Sequence, residues 1–438
     1  MQVSYFQGME TQLEIYQEEI DKKLLGPVFD IFFKNKSGRN TLKLIRPLMD
    51  GETAEVTELF YTTLRMVDEA VDSDDSVKLK GARLNRINQL FLKTPVGDYQ
   101  ELKANLGFPA DNMYSILNKS GVNDKDLENR LKRLKRKDKK FVEYLTKQRD
   151  MKLLVKAFKS RYGKHDGLLC EFFKGMYTDL YKEKRGDDFT EEELHDYFER
   201  IQTIPVIMGM KGLGVDLNNL PGGISKGEFY RAIDDANQGL EMLKNIRGKE
   251  LIEDLIDQNR NYFSTEEMKK AGITREELSF LAASAVVVDK EYRYKLLEDA
   301  TYKKLSRKLS RITEDRIYRA SAYFRRAVKV LEKMPCEGTL SSIRTLMLGY
   351  GLLAKSWAKK LHEHGYNPLD PLAEDDYLEL KPKDEELLSL ITRVKSINGS
   401  EASGIYRDLA EWEFLDEARV RGAMSSLGYR KLLGVGSC

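Results

Sequence analysis

Two aspartates and an arginine within residues 59–75 have types and spacing that suit chemistry. Asp68 and Asp72 are four residues apart in a run with helical character, so both carboxylates point to one face, and Arg65 lies one turn before Asp68. Such charges on the inner face of an apolar helix are costly to desolvate without a partner. A Mg²⁺ ion bridging to a diphosphate would supply one, because Mg²⁺ prefers carboxylates together with phosphate oxygens and waters. The alternative is a solvated helix face with an ordinary charge pair.

A second acidic segment, GKELIEDLIDQNRNYF, repeats this spacing far along the chain. Glu250 and Asp254 are four residues apart, and Lys249 lies beside them. A charged surface helix with intrahelical pairs is the commonest use of such residues. The duplication favours the other interpretation, because two acidic helix faces, each next to a cation, suit a Mg²⁺–diphosphate cluster held between helices of a bundle.

The composition indicates that helices position these residues. The 438 residues are 41% hydrophobic and include only 10 prolines, with long runs rich in Leu, Lys and Glu, so we expect a mostly helical chain with a substantial core. No segment alternates convincingly between apolar and polar residues, so the sequence predicts an all-α fold. The 73 basic and 71 acidic residues nearly cancel and give no overall field for nucleic acid.

Helical patterns place both acidic segments on long helices. The first is predicted to begin at Glu52, and the second to run from Glu228 to about Asp257 with Gly239 and Gly248 inside it. Interior glycines weaken a helix, and they allow a neighbour or ligand to approach closely. The other predicted helices cover 166–184, 292–333 and 339–364, with short ones that start at Thr190, Thr265 and Thr274.

The ends of the chain are expected to differ from its compact part. Residues 1–8 resemble the remnant of a cleavable tag, and residues 369–438 are predicted to be a helical extension of a domain over 9–368. The three cysteines are far apart and odd in number, so we expect a reducing, cytoplasmic location. The four histidines do not cluster with one another, and no apolar run reaches about 18 residues, the length of a membrane span.

Several short segments of the chain, taken in sequence order, resemble the motifs of the squalene/phytoene synthase family over most of residues 37–368. The strongest match is Tyr61, Arg65, Asp68 and Asp72, which stand at the spacing Tyr-x-x-x-Arg-x-x-Asp-x-x-x-Asp. The other family segments are matched by Arg39 within Ser37-Gly-Arg-Asn, by Gly175, Met176 and Asp179, by Leu194 and Tyr197, and by Arg260, Tyr262 and Phe263.

The chain departs from the family in two segments. In the second acidic motif, Lys249 and Glu250 stand where the family has Arg and Asp, and Lys lacks the bidentate phosphate fork of Arg. After Tyr197, Gln202 and Thr203 replace a small Ala-Gly pair of the prenyl channel, and Pro205 follows.

The resemblance implies an isoprenoid-synthase helical bundle around a central cavity that binds two prenyl diphosphates, farnesyl or geranylgeranyl. These would condense head-to-head through a cyclopropyl intermediate, giving squalene with NADPH or a phytoene-type product without it. The implied Mg²⁺ ligands are Asp68, Asp72, Glu250 and Asp254, of which Asp68 and Asp72 also count as catalytic. The implied diphosphate contacts are Arg39, Arg65 and Lys249, and Tyr197 is the candidate for cation steering or proton removal, against a role as a core tyrosine.

Two other functions remain open at this point. A terpene cyclase or single-prenyl transferase on the same fold is favoured by the altered second motif and channel segment. A non-catalytic, lipid-binding helical scaffold is opposed by the intact group of Arg65, Asp68 and Asp72. NADPH use stays undecided, since no glycine-rich dinucleotide fingerprint follows a strand. A hydrocarbon product would favour peripheral membrane association, although no segment encodes an anchor. The sequence indicates no oligomeric state.

Overall fold

The computed structural model describes residues 51–72, 75–93, 154–162, 166–286, 290–335, 338–370 and 402–427. Within these ranges the regular structure is helical, and the only β contact is an isolated bridge between Phe189 and Ser264. The predicted all-α fold is therefore confirmed. None of the described helices is long and apolar enough to cross a bilayer. The predicted tag remnant at residues 1–8 and Arg39 lie outside the described residues.

The chain divides near Asp166 into two compact units. In the first unit, α1 spans Gly51–Val71, α2 spans Val77–Lys93, and residues 154–162 are also helical. Phe158 packs on Phe60 and Phe91, with ring centroids 4.4 and 5.6 Å apart, and so joins the segment 154–162 to both helices.

The second unit contains the remaining described helices. These are α3 (Asp166–Arg185), α4 (Glu191–Phe198), α5 (Ile204–Gly212), α6 (Lys226–Lys244), α7 (Gly248–Ile252), α8 (Thr265–Ala271), α9 (Arg275–Ala285), α10 (Lys290–Glu298), α11 (Ala300–Leu331), α12 (Gly338–Glu363), α13 (Ala402–Ala410) and α14 (Glu417–Ser426). Two π-helical turns, Glu199–Thr203 and Glu253–Asp257, follow α4 and α7 directly.

Helix α6 is the centre of this unit, because nearly every residue from Phe229 to Leu243 is buried. It packs along α11 at Gly239, where an added Cβ would lie 2.8 Å from the Phe324 ring and 3.3 Å from the Ala320 carbonyl. The expected close approach of a neighbour at this glycine is confirmed.

Local sequence signals predict the start of several helices correctly. Capping boxes begin α4 at Thr190 and α9 at Thr274, as predicted, because each threonine is followed three residues later by a glutamate that returns a hydrogen bond. Helix α8 starts at Thr265, as predicted, with the capping box on Ser264, and a further box on Ser225 begins α6.

Two helices that were predicted to be continuous are each interrupted in the structure. The predicted helix from Glu228 to about Asp257 ends at Lys244 and resumes at Gly248. The predicted helix over 292–333 is two helices separated at Asp299, whose side chain accepts the Tyr302 amide hydrogen and caps α11.

The described part of the C-terminal segment packs on α11. Arg325 forms a two-point ion pair with Glu417, at 2.7 and 2.8 Å, and Trp412 stacks on Phe324 with ring centroids 6.3 Å apart. The domain limits at residues 9, 368 and 369 stay predictions.

Candidate functional site

On α1, the predicted charged face is a compact ion cluster. Arg65 pairs with Asp68 and also with Glu69, whose carboxylate lies 2.9 Å from Nη2. The Asp68 carboxylate, together with those of Glu69 and Asp72, holds the pKa of Arg65 above its ordinary value. The side chain of Asp68 is 33% exposed, so its carboxylate remains open to solvent and ligands. Glu69 was missed by sequence reasoning, although its position four residues after Arg65 could have indicated the contact.

The second acidic segment has a different geometry. Glu250, on α7, is 38% exposed and pairs with Arg247, whose guanidinium also lies 4.9 Å above the Trp357 ring. Asp254, in the π-turn, is only 8% exposed, and Lys249 is exposed. Glu250 lies in α7, whereas Asp254 lies in a π-turn, where hydrogen bonds join residues five apart. The four-residue spacing of these two acids therefore does not have regular α-helical geometry. Arg247 was missed because Lys249 had been assigned the role of the family's arginine.

Tyr197 lies in a buried aromatic cluster at the end of α4. Its ring stacks on Tyr262, with centroids 5.6 Å apart and an interplanar angle of 15°. Phe189 covers both rings, at 5.3 and 5.8 Å. The two hydroxyl oxygens are 3.4 Å apart.

A charged pair from α3 and the loop after the π-turn holds Tyr262 in place. The Tyr262 hydroxyl donates to Asp179 Oδ1 at 2.7 Å, and Arg260 lies 3.1 Å from the other oxygen of that carboxylate. Arg260 also contacts Glu183 at 2.9 Å. Asp179, Tyr197 and Tyr262 belong to three separate segments of the sequence, and the fold brings them into one cluster.

Gly175 allows α3 to reach this cluster. A Cβ at residue 175 would lie 2.9 Å from Ile201 and 3.0 Å from Arg200, so only glycine permits this approach to the first π-turn. Asp179 follows one helical turn later, which carries its carboxylate to Tyr262.

Both phenols of the cluster are neutral near pH 7. Burial raises the pKa of Tyr197 and of Tyr262 well above 10, and the charge of Asp179 adds to that effect. The charge of Asp254 also raises the pKa of Tyr262, and the Asp254 carbonyl accepts a hydrogen bond from the Arg260 amide at 2.7 Å. A neutral phenol has no strongly basic atom, and the raised pKa disfavours the phenolate that could remove a proton. Tyr197 is therefore better suited to stabilising a cation with its ring than to removing a proton.

The altered segment after Tyr197 forms part of a polar layer. Thr203 is fully buried, and its hydroxyl donates to Asp234 Oδ1 at 2.9 Å. Pro205 is the second residue of α5 and directly follows the π-turn Glu199–Thr203, where the backbone hydrogen-bonding pattern changes around a residue that has no amide hydrogen.

Comparisons with known proteins make no assignment. No protein-family model matches the chain, and a search of curated proteins finds no match. The site must therefore be argued from its own residues.

The predicted ligand residues have the donor type that Mg²⁺ requires. Asp68, Asp72 and Glu250 are partly exposed and offer carboxylate oxygens, and Asp254 offers a carboxylate that is buried. Hard cations such as Mg²⁺ prefer oxygen ligands, so these side chains fit the ion.

One further group of metal-ligand type was missed by sequence reasoning. Ligand atoms of His195, Asp196 and Glu199 all lie within 4.8 Å of one another. The histidines had been compared only among themselves, whereas the spacing of His195 and Glu199, four residues apart on one turn, could have indicated this group.

Proposed function

We propose that this protein is a Mg²⁺-dependent prenyltransferase that condenses two prenyl diphosphates, farnesyl or geranylgeranyl, head-to-head to a squalene- or phytoene-type product. The observation that carries the proposal is the buried cluster of Asp179, Tyr197, Arg260 and Tyr262. These residues match three separate segments of the squalene/phytoene synthase pattern, and they meet in space although Asp179 and Tyr262 are 83 residues apart.

Each residue has a role that follows from its surroundings. The electron-rich aromatic cluster of Tyr197, Tyr262 and Phe189 would stabilise a positively charged allylic group that lies against it. The contacts of Asp179 and Arg260 fix the orientation of Tyr262. Because the two oxygens of that carboxylate already contact Tyr262 and Arg260, it is held away from attack on a cation.

The acidic segments would bind the diphosphates. Asp68 and Asp72, with Glu250 and Asp254, are the proposed Mg²⁺ ligands, and bound Mg²⁺ would neutralise the charge that develops on the leaving diphosphate. Arg65 would add a planar guanidinium suited to phosphate oxygens. The roles of Lys249 and Arg39 in diphosphate binding, and the use of NADPH, are parts of the same proposal.

A second candidate is a terpene cyclase or single-prenyl transferase on the same fold. It is favoured by Thr203, which replaces a small residue of the family's channel segment and is hydrogen-bonded to Asp234. A polar layer at this position suits a shorter or folded prenyl chain better than a long extended one.

Product analysis separates the two candidates. The purified full chain is incubated with Mg²⁺ and farnesyl or geranylgeranyl diphosphate, with and without NADPH, and the organic extract is examined by mass spectrometry. A triterpene or tetraterpene hydrocarbon supports head-to-head condensation, and a cyclic sesquiterpene or diterpene supports the second candidate. No product from folded protein contradicts both.

Variants of Tyr197 test the proposed steering role. Tyr197→Phe keeps the ring and is expected to retain most activity, whereas Tyr197→Leu should lose about 30-fold, equivalent to a cation–π contribution of roughly 2 kcal/mol. Tyr181→Phe is the matched control, because Tyr181 is a half-exposed tyrosine on α3. Loss of activity in Tyr197→Phe would instead assign the chemistry to its hydroxyl.

A further inference from the structure

A pair of buried acids lies where α4 and its π-turn face α6, on residues that the proposed prenyl chemistry does not use. Glu199 and Asp234 are 1% and 2% exposed. Each carboxylate accepts a hydrogen bond from a neutral hydroxyl, Glu199 from Tyr230 at 3.1 Å and Asp234 from Thr203 at 2.9 Å. Buried carboxylates are costly to keep charged unless they are paired, protonated or bound to a cation.

The neighbouring acid on α6 shows the contrast. Asp235 is 1% exposed, and Arg326 forms a two-point ion pair with it, of which the Nε–Oδ2 distance is 2.6 Å. The guanidinium therefore compensates Asp235 directly, whereas Asp234 accepts hydrogen bonds from a hydroxyl and an amide and lies near the imidazole of His195.

Helix α4 adds an imidazole and a further carboxylate to this layer. His195 and Glu199 are four residues apart, and their ligand atoms lie within 4.8 Å of each other and of Asp196. The Nε2 atom of His195 is 3.5 Å from Asp234 Oδ2. Histidines that bind metals usually direct their second ring nitrogen to a carboxylate in this way, which fixes the ring orientation.

Gln238 on α6 supplies an independent observation. This side chain is fully buried, and its Nε2 donates to the carbonyl oxygen of His195 at 3.0 Å and to Asp234 Oδ1 at 3.3 Å. Its Oε1 atom, bonded to the same carbon, is buried and accepts no hydrogen bond from any residue that the structure describes. A buried acceptor without a hydrogen bond is costly, so it points to a ligand at the edge of the cluster.

There is also room beside these atoms. His195 and Gln238, though not Asp196 or Glu199, line a cavity of about 10 Å³. This is near the space of one water molecule or one small ion. The π-turn that begins at Glu199 fits the same interpretation, because π-bulges occur frequently at functional sites.

We propose that His195, Asp196 and Glu199 bind a divalent transition-metal ion of the Zn²⁺ class. Imidazole nitrogen together with carboxylates is a donor set of zinc and its neighbours, whereas Mg²⁺ and Ca²⁺ prefer oxygen ligands alone. Nδ1 of His195 is the nitrogen given to the ion, since Nε2 faces Asp234. Asp234 orients the imidazole, and Gln238 Oε1 lies at the edge of the ion's surroundings.

Metal binding by the full chain tests this proposal without any prenyl substrate. Protein purified without a polyhistidine tag is incubated with Zn²⁺, desalted and measured for bound metal, and affinity is measured by calorimetry. Wild type is expected to retain about one Zn²⁺ per chain. His195→Gln and Glu199→Gln should lose that ion, and Asp234→Asn should bind about 10–100-fold more weakly.

Matched controls keep the result interpretable. His364→Gln alters a histidine elsewhere in the unit, and Glu192→Gln alters an exposed acid on α4 itself, so both should bind as wild type does. Circular dichroism without metal establishes that each variant is folded, and Co²⁺ bound to wild type should give visible absorption bands that are absent from His195→Gln.

Two results would overturn the proposal. One is a folded wild-type chain that retains no Zn²⁺ after desalting. The other is a folded His195→Gln chain that retains Zn²⁺ with wild-type affinity, because the ion would then be bound elsewhere.

Discussion

The charges of α1 and those in the core of the second unit are made from the same residue types but differ in their exposure. Arg65 and Asp68 on α1 are each about one-third exposed, at 29% and 33%. Arg316 and Glu267 in the second unit are 0% and 7% exposed. A partly exposed pair can exchange its partner for a ligand at small cost, whereas a buried pair cannot be opened without leaving an uncompensated charge. The first arrangement suits ligand binding, and the second stabilises the scaffold.

The largest expected effect on stability comes from opening the buried pair. Glu267→Gln removes the charge that compensates Arg316, whose Nη2 lies 2.7 Å from Glu267 Oε2. We expect the free energy of unfolding to fall by about 3–5 kcal/mol. Urea unfolding followed by circular dichroism measures this change.

Glu192→Gln serves as the control, because Glu192 is exposed on α4 and should change stability by less than about 0.5 kcal/mol. If both variants unfold at the same urea concentration, the buried pair does not stabilise the scaffold, and the comparison fails for this region.

Glu267 should also make the free energy of unfolding depend on pH. Burial alone would raise the pKa of Glu267, but Arg316 and Arg319 hold it below its ordinary value of 4.5. A carboxyl whose pKa is lower in the folded state contributes stability above its unfolded pKa and loses that contribution as pH falls through the folded value. We therefore expect wild type to lose stability below pH 4.5, with a smaller slope in Glu267→Gln. Parallel slopes for the two proteins would show that other groups govern acid unfolding.

An intermediate effect is expected at the tyrosine pair. Tyr262→Phe removes the hydroxyl that donates to Asp179 at 2.7 Å, and we expect a loss of about 1–3 kcal/mol. Tyr197→Phe removes only a hydroxyl 3.4 Å from that of Tyr262, so its loss should be below about 1 kcal/mol. Thermal or urea unfolding of both variants gives the order, and the reverse order would contradict the assigned hydrogen bond.

The smallest effect on stability is expected on α1. Asp68→Asn breaks a partly exposed pair and should change the free energy of unfolding by at most about 1 kcal/mol. Thr57→Ser, on the same helix and half-buried, is the control for local packing. A loss as large as that of Glu267→Gln would place Asp68 among the scaffold charges instead of the ligand-binding ones.

Signals that act within a few residues predicted much of the fold. The helical composition predicted the all-α class, and Thr190 with Glu193 predicted the start of α4, because a capping box is a local exchange of hydrogen bonds. The break of the predicted helix at Asn245 was missed. The apolar pattern continues across it, and the π-turn after α7 depends on a shift in backbone bonding that no residue type encodes.

The candidate site was harder to predict from the sequence, because it depends on contacts between residues that are far apart in the chain. Asp179 and Tyr262 were recognised as parts of separate motifs, but their hydrogen bond joins residues 83 positions apart and depends on how α3 packs at Gly175. Likewise, spacing alone did not indicate that Asp254 is buried while Glu250 is exposed.

The most direct test of the prenyltransferase account is diphosphate release from farnesyl diphosphate with Mg²⁺, measured for wild type, Asp254→Asn and Asp257→Asn. Asp257 is the matched control, because it is an exposed aspartate in the same π-turn. The account predicts release by wild type and Asp257→Asn, and a decrease of about 10²-fold or more in Asp254→Asn. No release by folded wild type, or an unchanged rate in Asp254→Asn, would contradict it.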